Sequence, residues 1–136
     1  MTEHTVKAYG EELDSLAADI ARMGGIAESM VADSVASIIK RDAALARSVV
    51  ERDPRVDTIQ RDVERKILRV FALRQPMARD LRETLSALKL ANDIERIGDL
   101  AKNIAKRTLV LHEDEPIALA RGVERMGRIA AINLQQ

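Results

Sequence analysis

The chain has 136 residues, of which 46% are hydrophobic and 32% charged, with one Phe, one Tyr, no Trp and no Cys. That length suffices for one domain with a modest core, and the missing cysteines exclude disulfides and thiolate metal sites. Lys plus Arg equals Asp plus Glu at 22 each, so the basic excess of a general nucleic-acid binder is absent.

With aromatics almost absent, burial rests on Leu, Ile, Val, Ala and Met; all but the β-branched Val and Ile are good helix formers, as are Glu, Lys and Arg, and the expected fold is all-α. The first predicted helix carries Tyr9, Leu13, Leu16, Ile20, Met23, Ala27 and Met30, spaced alternately by four and three, the stripe of a helix packed lengthwise in a bundle. Gly24 and Gly25 interrupt it at about 1 kcal/mol each relative to Ala, and read as a close approach of a neighbouring helix or a bend. Asp42 is expected to cap a short helical piece through Val50. Asp53-Pro54 then reads as N-cap and first-turn proline of a second helix, whose stripe is Val56, Ile59, Val63, Ile67 and Val70, ending near Gln75-Pro76. Pro76 is expected to open a third helix running to about Leu111, and Pro116 a fourth. Residues 21–27 (Ala-Arg-Met-Gly-Gly-Ile-Ala) resemble residues 124–130 (Glu-Arg-Met-Gly-Arg-Ile-Ala) at an offset of 103, which suggests a repeated helical unit. The expected organisation is a three-helix bundle over residues 1–112, with residues 113–136 starting a second, similar bundle that the chain does not complete.

At about 100° per residue, Leu90, Ile94, Ile97, Ala101, Ile104 and Thr108 share one side of the third helix, the expected core face. Asn92, Glu95, Asp99 and Asn103 fall on the opposite side as an outward ladder of oxygen donors, and Leu81, Leu85 and Leu88 extend that line as apolar residues where solvent is expected. Oxygen-only donors suit iron, manganese, magnesium or calcium. Glu95 and Asp99, at i, i+4 in mid-helix, repel by a few tenths of a kcal/mol, which Arg96 and Lys102 partly offset. Spacing alone favours a solvated, salt-bridged face over a metal site. The other acid pair at this spacing, Asp53 and Asp57, reads as helix capping and a favourable dipole contact.

Other candidates carry less. His4 lies near the terminus and His112 at the expected end of the third helix, so neither supplies the Glu-x-x-His pair of ferritin-like di-iron bundles, and a carboxylate-bridged metalloenzyme is disfavoured. There is no phosphate loop of the Gly-x-x-x-x-Gly-Lys type and no evident acid and base pair. Ser29, Ser34, Ser37 and Ser86 read as small helix-packing residues. Arg61, Arg65 and Arg69 repeat along the second helix as a solvated face, or one that docks an acidic partner. No segment approaches the roughly 20 apolar residues of a membrane span, and residues 1–10 lack an apolar run of signal-peptide length. The expected location is the cytoplasm, with membranes met only through partners.

Leu73-Arg74-Gln75-Pro76-Met77-Ala78-Arg79-Asp80-Leu81-Arg82, followed by Leu88-Lys89-Leu90-Ala91-Asn92-Asp93-Ile94-Glu95-Arg96-Ile97-Gly98-Asp99 and by Asn103-Ile104-Ala105, closely resembles the pattern of the PhoU family. The resemblance implies two three-helix bundles in tandem. It also implies a multinuclear iron or zinc cluster, with Mn or Mg as alternatives, held on the bundle surface through Glu/Asp-x-x-x-Asp motifs, of which Glu95-x-x-x-Asp99 is one; Asn92 and Asn103 would add ligands or supporting contacts. The implied function is not enzymatic. It is negative regulation of the phosphate-starvation response through contacts with a phosphate ABC transporter and a sensor histidine kinase. The competing reading is a structural helical interaction module without a metal. An uncovered strip at Leu81, Leu85 and Leu88 leads to the expectation of a homodimer or higher oligomer.

Overall fold

The protein is described by a computed structural model, which covers the backbone of residues 2–74 and 78–135 and the side chains of residues 9–73, 81–111 and 129. Three helices, α1 (Thr2–Lys40), α2 (Ala43–Arg74) and α3 (Ala78–Gln135), pack each against both others, and no strand occurs among the described residues. Lys66 on α2 reaches Asp19 on α1, while Arg52 reaches Asp33, so α1 and α2 are antiparallel. Gln60 pairs with Asn92, and Asp53 with Lys102, so α3 runs antiparallel to α2. The result is an up-down-up bundle, the all-α architecture expected from composition.

The turn between α1 and α2 is two residues long and satisfies the ends of both helices. Arg41 adopts a left-handed conformation (φ 52°); its N–H donates to the Ile38 carbonyl at 3.3 Å, and the Asp42 N–H donates to the Ser37 carbonyl at 3.0 Å. This is a Schellman closure. The Asp42 carboxylate then accepts from the Leu45 N–H at 3.0 Å, an N-cap contributing about 1 kcal/mol.

The helix that Asp42 opens does not stop at Val50. It runs unbroken to Arg74 with Pro54 inside, so Asp53-Pro54 is no helix start. The pyrrolidine ring removes one backbone hydrogen bond, a penalty of about 3 kcal/mol in an isolated helix. Val49 and Val56, both fully buried on either side of it, hold the segment in register. Likewise α3 continues past Leu111 and through Pro116 to Gln135, so the expected stop and fresh start are not separate elements and position 112/113 lies within one helix. The predicted opening at Pro76, and the side chains of His4, His112 and the 124–130 segment apart from Ile129, lie outside the described residues.

The stripe predicted on α1 is the one buried: Leu16, Met23, Ala27 and Met30 face the core, and Ser34 and Ser37 continue it. On α2 the buried line is Ala46, Val49, Asp53, Val56, Ile59, Val63, Ile67 and Val70. The core face of α3 is rotated from the predicted one. Thr84, Ala91, Gly98, Ala101, Ala105 and Thr108 are buried, whereas Leu90 and Ile97, predicted inside, are 49% and 45% exposed. Small residues line the inner face because α3 lies in the groove between α1 and α2, and the large apolar residues are left on its outer flank. Neither Gly24 nor Gly25 marks the expected close approach: a Cβ at Gly24 would stand 4.0 Å from Ile94 Cδ1, an ordinary van der Waals contact, and one at Gly25 would meet nothing within 4 Å. Ser37 and Thr108 hydroxyls meet at 3.3 Å across α1 and α3, the packing role predicted for that serine.

Candidate functional site

The rotation of α3 decides where the acidic ladder points. Measured from Ala105, the middle of the buried arc of α3, at about 100° per residue, Lys102 and Glu95 lie roughly 60° and 80° away, Asp99 about 120°, and Asn92 and Asn103 about 140° and 160°. The ladder is therefore only partly opposite the core. It fans from the α2-facing flank toward solvent: Asn92, Glu95 and Asp99 are half-buried, and only Asn103 is exposed. Asn92 Oδ1 accepts from Gln60 Nε2 at 2.8 Å, so that amide is already engaged in holding α2 to α3.

On the facing helix, Asp53 and Asp57 occupy the same level. Asp53 falls on the buried stripe of α2, where its side chain is 8% exposed, and the Lys102 ammonium donates to its Oδ2 at 3.1 Å. The same ammonium stands 3.4 Å from Asp99 Oδ1. The antiparallel register thus places the Asp53-x-x-x-Asp57 pair against the Glu95-x-x-x-Asp99 pair, with Lys102 bridging them. Gly98 packs at this level: a Cβ on it would meet Val56 Cγ1 at 3.7 Å, and Asp53 Oδ1 and Met30 Sδ both at 3.9 Å, so a methyl would fit and a bulkier side chain would crowd those three.

The electrostatics follow from that crowding. Burial, then the neighbouring Asp53, pushes the Asp57 carboxyl above its ordinary value; Lys102 and Arg61 pull the other way. Burial, then Asp57, Asp99 and Asp53, likewise raises Glu95. The Lys102 ammonium is held above its ordinary range, first by its hydrogen bond to Asp53. Four formal negative charges thus meet one bridging cation.

Asp53 and Asp57 are the residues that sequence reasoning misassigned. The available signal was periodicity: an aspartate at position 53 stands in line with Ala46, Val49, Val56 and Val63, and a carboxylate on an apolar stripe calls for a buried partner. Two further polar clusters tie α1 to α2. Arg52 ties Ser29, Ser48 and Asp33 together at 3.0, 2.8 and 2.6 Å, and Lys66 binds Asp19 and Ser15, both at 2.6 Å. Arg61, Arg65 and Arg69 are exposed, as a solvated face requires.

All four cluster acids offer oxygen donors, the kind that hard and borderline divalent ions accept, and they come from two rigid helices in matched register. Among the described residues, however, no three acidic or histidine side chains converge tightly enough to hold an ion as they stand. The donor set suits a cation in kind but not, as it stands, in placement, because the Lys102 bridge lies between the two pairs. Among the described residues no helix is long and apolar enough to cross a membrane.

Fold and site together define a class: an up-down-up helical bundle whose distinguishing feature is an acidic cluster between two helices. Residues 20–108 match the model of the PhoU domain. A phosphate-specific transport system accessory protein PhoU homolog of Caulobacter vibrioides is 58% identical over 130 residues, covering 95% of this chain and 56% of that protein. One from Rhizobium meliloti is 43% identical over 134 residues, covering 98% and 56%. The crystal structure of PhoU from Pseudomonas aeruginosa superposes with a TM-score of 0.76 at 37% identity, covering 78% of this chain and 51% of that one. The chain belongs to the PhoU family. It spans about half the length of the curated relatives it matches.

Proposed function

We propose that this chain serves as a cytoplasmic, non-enzymatic accessory regulator of a phosphate-specific transport system, restraining the phosphate-starvation response through contacts with the phosphate ABC transporter and its sensor histidine kinase. The observation that carries this reading is the 58% identity to a phosphate-specific transport accessory protein along 95% of the chain. The test is complementation: a bacterium lacking its own PhoU, given this chain, should regain phosphate-dependent repression of its starvation genes, while a host expressing it with unaltered derepression counts against the reading. Residues 113–136 are assigned, under the same proposal, to the start of a second unit.

The cluster of Asp53, Asp57, Glu95 and Asp99, with Asn92 and Asn103 beside it, is proposed to take an iron, zinc or manganese ion or a small cluster of them. When bound, the metal supplies the positive charge that these acids lack and ties α2 to α3. A second reading, a helical interaction module with no metal, is favoured by one observation, the Lys102 bridge that already offsets part of the charge.

Self-association is the third element. Leu88 packs against the core, which corrects its expected exposure, but Leu81 and Leu85 remain 40% and 48% exposed. Val31, Val35 and Ile38 on α1 are exposed too, as are Leu90, Ile97 and Leu111 on α3. Of these, Leu90 lines an apolar groove of about 470 Å³ between the parallel α1 and α3, beside Leu13, Leu16 and Ile20. A second copy of this chain laid along that strip would remove it from water. Sedimentation equilibrium at micromolar concentration should report a dimer or higher oligomer, and a Val35→Glu, Ile97→Glu variant a monomer. A monomeric parent would overturn this.

A further inference from the structure

We infer that the second copy lies parallel to the first, about a two-fold axis that runs along the helices, so that α1 of each copy packs on α3 of the other. The inference rests on the self-association reading above and adds the orientation and the residues that specify it.

The groove between α1 and α3 is one end of a longer apolar face. Val31, Val35 and Ile38 follow Leu13, Ala17 and Ile20, which line the groove, by 18 residues each, or five full turns, so they continue the same wall of α1. On α3, Ile97, Ile104 and Leu111 follow Leu90 at steps of seven, each turned by only about 20° from the last. From Leu13 to Ile38 the face is about 38 Å long, and two helices make it about 20 Å wide. That is roughly 750 Å² per copy, close to what each side of a stable dimer buries.

Two such faces can meet by two-fold symmetry in two ways: antiparallel, with α1 on α1 and α3 on α3, or parallel, with α1 on α3 twice. Bulk favours the parallel form. The outward side of α1 carries Ala17, Ala21 and Gly24, whereas that of α3 carries the exposed Leu90, Ile97 and Leu100. Gly24 stands beside Ile94 and Ser37 beside Thr108, so Leu90 and Ile97 are level with positions 19–20 and 26–27 of α1. In the parallel form the large side chains of α3 therefore meet the partner's low stretch of α1 at the same height. The antiparallel form would set bulk against bulk and leave the two low stretches facing across a gap. Charge favours the same form. Glu28 is exposed on the outward side of α1 and is level with positions 98–99 of α3, within a turn of the partner's Arg96 in the parallel form. In the antiparallel form it would meet only α1, whose described basic residues, Arg22 and Lys40, lie on the other flank. Asp93, also on this face, keeps Lys89 one turn away on its own helix.

The chain has no cysteine, so Lys40→Cys, at the end of α1 and off the apolar face, takes one spin label per copy. Double electron–electron resonance on the dimer should report a separation within about 30 Å, since parallel α1 helices lie diagonally across a contact with helix spacings of about 10 Å. The antiparallel form would place the labels about 45 Å apart along the helix axis. In sedimentation equilibrium, Glu28→Arg and Arg96→Glu should each raise the dimer dissociation constant about tenfold, and the double substitution should restore it. A separation beyond about 30 Å, single variants that dimerise like wild type, or a double variant no tighter than the single ones overturns the orientation while self-association stands. A monomeric wild type overturns both.

Discussion

Replacing Ala105 with leucine is expected to destabilise the protein by about 1–3 kcal/mol, while replacing Ile97 with alanine should cost less than about 1 kcal/mol. The expectation inverts what side-chain hydrophobicity suggests. Ala105 is fully buried on the line that continues Ala91 and Gly98, where α3 settles between its neighbours, and Ile97 is 45% exposed. Three extra carbons at position 105 would have to push the helices apart or adopt a poor rotamer, because helix interiors at such close approach are filled to crystal-like density. Truncation at position 97 removes atoms that are already half in water, and alanine's helix propensity returns part of the loss. Urea unfolding followed by circular dichroism measures both. If Ile97→Ala costs the 2–5 kcal/mol typical of a buried aliphatic (about that range for core truncations) and Ala105→Leu is silent, α3 is turned the other way and the acidic pairs no longer face each other.

The same rotation explains what the sequence disclosed and what it hid. On α1 and α2 the large apolar residues and the buried residues coincide, so Leu16, Met23, Val56, Val63 and Ile67 were legible from spacing alone. On α3 they part company. Ala91, Gly98, Ala101 and Ala105 carry little hydrophobic weight, yet they face inward because two neighbours crowd them, while Leu90 and Ile97 dominate the pattern and face out. Periodicity reports where apolar mass lies on a helix, not which side the neighbours occupy. Half of the candidate site was legible for a related reason. Glu95 and Asp99 stood in mid-helix with no capping role to absorb them. Asp53 and Asp57 preceded or followed a proline, and local turn chemistry offered a sufficient explanation. Only continuous helix through Pro54, which tertiary packing enforces, turns Asp53 inward to face Lys102.

Asp53 and Glu95 should respond to neutralisation with opposite signs. Asp53→Ala is expected to lower stability near pH 7 by about 1–3 kcal/mol: it strips a partly buried ammonium of its nearer partner, and the loss is moderated because Lys102 keeps Asp99 and a path to water. Glu95→Gln should instead raise stability, by a few tenths of a kcal/mol or about the size of one like-charge contact. The reason is linkage. Glu95 and Asp57 have carboxyls pushed up by burial and by Asp57, Asp53 and Asp99 around them, against the pull of Lys102, and for Asp57 of Arg61 as well. A carboxyl whose pKa is higher folded than unfolded binds its proton more tightly in the native state. Its contribution to stability is therefore complete below the unfolded values of 4.5 for Glu95 and 3.8 for Asp57, and it is lost as pH rises through the elevated folded values. Lys102, also raised, keeps its contribution throughout this range and loses it only in alkali, above the ordinary 10.5. The advantage of Glu95→Gln over wild type should accordingly be greatest near neutrality and shrink as the solution is acidified toward the ordinary glutamate value. Denaturation curves of both proteins across that interval, in chelator to keep the site free of metal, test it. An advantage that grows on acidification would mean that Glu95 ionises easily in the folded protein, and that the four carboxylates are too far apart to crowd one another or to share an ion.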